Sequence, residues 1–141
     1  MATFTTYSTD GKTIAATSGG NYAGSPIVTM LTNVFDASKR NLAAADVAEV
    51  LNIPAGTYVM KVFYRVLTAD ATQTLNVGDG ADPDGYVAAA DVATAGNNGV
   101  GGGALATGKY YATADTIDIE VPATKAFDTL KVVVSALCVI Q

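Results

Sequence analysis

The chain contains no histidine and no tryptophan, and it has one cysteine in 141 residues. Without histidine, the commonest general base and the commonest metal-ligating side chain are both missing. A nucleophile–histidine triad is thereby excluded, and no serine stands on a strained elbow beside a lysine to make a dyad. The lone thiol, Cys138, has no partner for an intrachain disulfide. It falls in an alternating apolar run with no local base or cation to activate it, which reads as a buried small hydrophobe. These absences point away from an enzyme.

Charge is scarce as well. Charged residues make up 15% of the chain, against about 25% in an average soluble domain. Eight basic residues face 13 acidic ones for a net charge of −5, and the largest basic cluster is Lys39-Arg40. That is too little to neutralise a run of phosphates, so no nucleic-acid partner is expected. The longest apolar stretch, Leu130 to Ile140, is interrupted by Lys131 and Ser135. It is too short to cross a hydrocarbon core of about 30 Å as a helix, so no membrane partner is expected either. The first residues, Met1 to Tyr7, lack the basic and apolar regions of a secretory signal.

What is present is period two. In Thr57 to Leu67 one alternating set is Tyr58, Met60, Val62, Tyr64 and Val66, and this set is assigned to the core. Leu130, Val132, Val134, Ala136, Cys138 and Ile140 form a second such set. The opposite side of that segment is also largely apolar, which places it at the centre of a sheet or beneath a neighbouring subunit. Shorter strands are expected at Ile27 to Phe35, Val47 to Ile53, Thr72 to Val77 and Thr116 to Val121, with a Pro-then-Gly hairpin turn at Ile53 to Thr57. Short helical turns are expected near Ala37 to Leu42 and Val87 to Ala93. The pattern predicts an all-β fold: an antiparallel β-sandwich, jelly-roll-like, spanning residues 27–141.

Two regions have no clear period. Residues 1–26, rich in Thr, Ser, Gly and Ala, read as an extended N-terminal arm anchored outside its own domain through Phe4, Tyr7, Ile14 and Tyr22. Gly78 to Gly108 reads as a long connection. Its turn Asp79-Gly-Ala-Asp82-Pro-Asp84-Gly85 gathers three carboxylates that could present oxygens to a cation, but it lacks the bidentate glutamate that closes an EF-hand loop. Asp, Pro and Gly are also ordinary turn formers, so no metal and no cofactor is assigned. Asp115 and Asp118 read as a strand start and a solvated strand face. The Gly96 to Gly103 tract has no Lys-Ser/Thr after it and no following helix, so it is not a phosphate loop.

The block Leu75-Asn-Val-Gly-Asp-Gly80, then Asp84-Gly-Tyr86, Gly108-Lys-Tyr-Tyr111 and Ala114-Asp-Thr-Ile-Asp118 resembles a pattern in virion structural proteins of tailed bacteriophages. In that pattern a strand ends in Gly-Asp-Gly, a Gly-aromatic pair follows, and a Lys-Tyr-Tyr segment precedes an alternating strand. The likeness covers about half the chain, from Ile53 onward. It implies a capsid decoration (cement) protein, a homotrimer whose partner is the major capsid protein. Its location would be the capsid exterior of the virion, after synthesis in the bacterial host cytoplasm. The family pattern carries no catalytic residues. A phage tail or fibre subunit and a carbohydrate-binding or adhesive β-sandwich module are the alternative readings.

Overall fold

The computed structural model describes residues 3–5 (backbone only), 27–71, 73–122 and 126–140. Within them the chain is all-β, a sandwich of two sheets with no helix. The strands are β1 (Thr3–Thr5), β2 (Ile27–Asp36), β3 (Val47–Ile53), β4 (Thr57–Thr68), β5 (Thr74–Gly78), β6 (Val87–Asp91), β7 (Asn98–Val100), β8 (Lys109–Tyr111), β9 (Asp115–Glu120) and β10 (Lys131–Ile140). Sheet I has the order β1-β3-β9-β5-β6, and sheet II the order β2-β10-β4-β7, with β8 also paired to β4. Every pairing is antiparallel except β1 on β3.

The last strand is central. β10 is hydrogen-bonded to β2 on one side and β4 on the other, which protects both its edges but leaves Val133, Leu137 and Val139 of its outer face only partly buried. Its inward set, Val132, Val134, Ala136, Cys138 and Ile140, is buried as the alternation requires, with Leu130 just before it. These residues share one core with Leu31 and Phe35 of the neighbouring β2 and, across the sandwich, with Val50, Ile53, Ile117 and Ile119. Burial alone pushes the Cys138 thiol up to about 12, so it stays protonated.

Strand β4 departs from simple alternation. Val59 pairs with Cys138 and Lys61 with Leu137, leaving Met60 as an extra residue that bulges the strand. A one-residue insertion exchanges the two faces. The core residues are therefore Val59, Val62 and Val66, with Tyr64 packed against them, whereas Tyr58 and Met60 are only half-buried and leave the core set assigned from periodicity. Truncation measures the exchange. Val59→Ala is expected to cost about 1–3 kcal/mol and Met60→Ala less than about 1 kcal/mol in denaturant unfolding. A larger loss at Met60 would restore the uninterrupted alternation.

Three other expectations change. The Ile53 to Thr57 turn, with Gly56 at φ 80°, is not a hairpin but a corner that carries the chain from sheet I to sheet II. Val87 to Asp91 is strand β6 and not a helical turn, because pairing with β5 outweighs the helical preference of its alanines. The Gly78 to Gly108 connection is not structureless, since it contains β6 and β7. Near the N-terminus, Thr3 to Thr5 lie alongside Val47 to Glu49 of the same chain. Tyr7, Ile14 and Tyr22 lie outside the described residues, as does the side chain of Phe4.

Candidate interaction surface

The register of sheet II sets out its outer face row by row. Val34, Val133, Arg65 and Asn98 lie across from one another, then Thr32, Ser135, Phe63 and Val100. Met30, Leu137 and Lys61 follow, and the last row is Val28, Val139, Tyr58 and Tyr110. Among the described residues, the large exposed hydrophobic ones, Val28, Met30, Val34, Leu67, Val100 and Tyr110, all belong to strands of this sheet, with exposures from 41% to 65%. Single exposed hydrophobes are ordinary, but a contiguous set on one face marks an interaction site. Polar relief on this face is small. A Thr32–Ser135 hydroxyl pair at 3.0 Å crosses from β2 to β10, and the charges among these rows are the cations Lys61 and Arg65. An apolar sheet face with two cations suits a broad protein partner.

The turn after β5 is built for rigidity. A side chain at Gly78 would run into the Asp82 carbonyl, which is why the strand ends in glycine before Asp79. Asp79 is 1% exposed, and both of its oxygens are occupied. Oδ1 accepts the backbone N–H groups of Ala81 (3.1 Å) and Asp82 (2.9 Å). Oδ2 accepts Lys109 Nζ (2.5 Å) and the Tyr111 hydroxyl (2.8 Å). The Tyr111 hydroxyl in turn lies 2.8 Å from that of Tyr86.

Burial works to raise the Asp79 carboxyl, but Lys109, Tyr111 and the backbone donors outweigh it and hold the group below its ordinary range. Burial also pushes the Tyr86 hydroxyl up to about 12 and the Tyr111 hydroxyl further still, so neither ionises near neutrality. Asp79 is thus a structural anchor for the turn, and its oxygens are already committed within the chain. Asp82 is raised, first by burial and then by the neighbouring Asp84. Among the described residues, no group of three or more carboxylates or thiols is placed to hold a metal ion. Asp115 begins β9 as read from sequence, but Asp118 is buried at 6% exposure and is not a solvated strand face.

This geometry has counterparts among solved structures. A chain in the capsid of Ralstonia phage GP4 superposes with a TM-score of 0.64 at 19% identity, over 86% of this chain and 88% of that one. A chain of the Cyanophage Pam1 capsid gives 0.62 at 19% identity, covering 86% and 90%. A chain of the acid-stable capsid of Helicobacter pylori bacteriophage KHP30 gives 0.60 at 16% identity, covering 82% and 92%. The fold is one that phage capsids use. No protein-family model matches the sequence, and no curated protein matches it.

Coverage is nearly complete in both directions, so the likeness extends to the whole sandwich and not to one shared motif. The residues quoted for the phage-protein resemblance also come together in space. Asp79 and Tyr86 are joined to Lys109 and Tyr111, more than twenty residues further on, in one hydrogen-bonded cluster. The outer face of sheet II, in contrast, carries no motif. Its sequence signal is the apolar second face of the β10 segment.

Proposed function

We propose that the chain is a non-catalytic structural protein of a phage virion, and specifically a decoration protein that binds the outer surface of the capsid shell and stabilises it. The observation that carries this reading is the apolar outer face of sheet II, on a fold shared along most of its length with chains from three phage capsids. A domain poor in charge that leaves one sheet face apolar is stable in solution only at some risk of association, and a permanent partner removes that risk. The partner is the major capsid protein, and the copies associate as a homotrimer by analogy with capsid proteins placed at three-fold positions.

The test is co-sedimentation of the purified chain with empty, expanded capsids of its phage prepared without it, followed by cryo-EM of the particles. Saturable binding with density on the outer surface, and a higher capsid melting temperature, are expected. Density within the contiguous shell would make the chain a shell subunit. Failure to bind capsids, together with recovery in tails or fibres, would favour the tail reading.

A further inference from the structure

Sheet I carries the opposite electrostatic character on its outer side. A cavity of about 320 Å³ is lined by Val47 and Glu49 of β3, Asp115, Thr116, Asp118 and Glu120 of β9, and Asp79, Gly80 and Pro83 of the turn after β5. Register explains the convergence, because Glu49 pairs with Asp118 on one side of β9 and Gly78 pairs with Asp118 on the other. The centre of the cavity is anomalous. Asp118 is 6% exposed, and its Oδ1 has no hydrogen-bond partner. A buried carboxylate oxygen without a donor is costly, and a donor from outside the chain is one way to complete it.

We infer that this cavity receives the guanidinium group of an arginine side chain presented by an adjoining protein, with the Asp118 carboxylate as its central acceptor. The chemistry calls for a cation. Glu49, Asp115 and Glu120 flank Asp118, and the nearby Lys109 ammonium is already bound to Asp79. A bare metal ion is a poor match, because the described residues contain no group of three or more carboxylates placed to hold one and the space far exceeds what an ion needs. Guanidinium is flat and carries five N–H donors in a fixed fork, so it can satisfy Asp118 and a flanking carboxylate together, which a point-like ammonium does less well.

In the absence of such a cation, burial first and then the charges of Glu49, Asp115 and Asp79 push Asp118 up to about 6, an effect that Thr116 only partly offsets. An arriving cation would pull it back down. The inference stands apart from the capsid reading, because it concerns a pocket on the other sheet and its test needs no capsid.

The experiment is carboxylate ¹³C NMR on the full chain titrated with N-acetylarginine amide, with N-acetylcitrulline amide as the neutral control and calcium chloride as a third arm. The arginine amide should shift the Asp118 carboxyl signal saturably, with half-saturation on the order of millimolar. It should also lower the Asp118 titration midpoint by about half a unit or more. The citrulline amide should do neither, and Asp118→Asn should abolish the saturable response at Glu49 and Glu120. An absent response, an equal response to citrulline, or saturation by calcium at lower concentration than by arginine amide would each overturn the assignment.

Discussion

Replacing Asp79 by alanine should lower the unfolding free energy by about 2–4 kcal/mol, a loss out of proportion to the removal of one turn residue. The carboxylate is almost fully buried and accepts four hydrogen bonds, two from backbone N–H groups of its own turn and two from β8. Its removal strands the Ala81 N–H in a part-buried turn, leaves the Asp82 N–H only its 3.2 Å bond to the Asp79 carbonyl, and cuts the tie between the turn and Lys109 and Tyr111. The range lies below the full cost of breaking a buried ion pair because the Lys109 side chain is 30% exposed and can turn to water.

Asp79→Asn separates charge from shape, since it keeps an acceptor and removes the negative charge. The folded Asp79 carboxyl lies below its ordinary value of 3.8. Its charge-dependent stabilisation is therefore complete above that value and disappears as pH falls through the lower folded pKa. Denaturant midpoints should show wild type well above Asp79→Asn at pH 7, and the gap should close below about pH 3.8. A gap that persists unchanged into strong acid would mean that the carboxylate acts through shape alone.

The Asp79 cluster also marks where reading from sequence reaches its limit. Alternation placed every inward side chain of β10, a run in which burial follows period two without interruption, and it located the bounds of β3 even though a register shift between Glu49 and Leu51 puts Val50 and Leu51 both inside. It failed at β4. Tyr58, Val59 and Met60 are three consecutive nonpolar-faced residues, so nothing in their order reveals which of them is the inserted one. The bulge is decided across the strand by Leu137 and Cys138, more than seventy positions away.

The same physics hid the role of Asp79. In sequence it belongs to an acidic turn with Asp82 and Asp84, which suggests a cation. Only the fold shows that its cation is Lys109 and its second donor Tyr111, thirty residues further on. A clue was present in the Gly-Asp-Gly and Lys-Tyr-Tyr motifs, whose members prove to be mutual partners. Likewise Asp118 looked like a solvated strand position, because parity alone points it outward. Flanking by β3, β5 and the turn after β5 is what buries it.

The double variant Met30→Glu, Val100→Glu should fold normally and lose at least about 100-fold in capsid affinity. Both side chains are on strands of sheet II and roughly half exposed, Met30 on β2 and Val100 on β7, so neither supports the core. Substitutions at such positions usually change stability by no more than about 0.5 kcal/mol each. In a docked complex the situation reverses, because each new carboxylate would have to be stripped of water against an apolar surface. The two sites sit on opposite sides of β10, one in the Met30–Leu137–Lys61 row and one in the Thr32–Ser135–Phe63–Val100 row, so together they disrupt the face over most of its width. Ala88→Glu, at an exposed position of β6 in the other sheet, introduces a new carboxylate away from this face and should bind as wild type does. Co-sedimentation with capsids, alongside thermal melts of each free variant, reads both quantities. If the double variant binds as tightly as wild type while Ala88→Glu does not, the chain docks through sheet I, and the apolar face of sheet II must be buried by something other than the capsid.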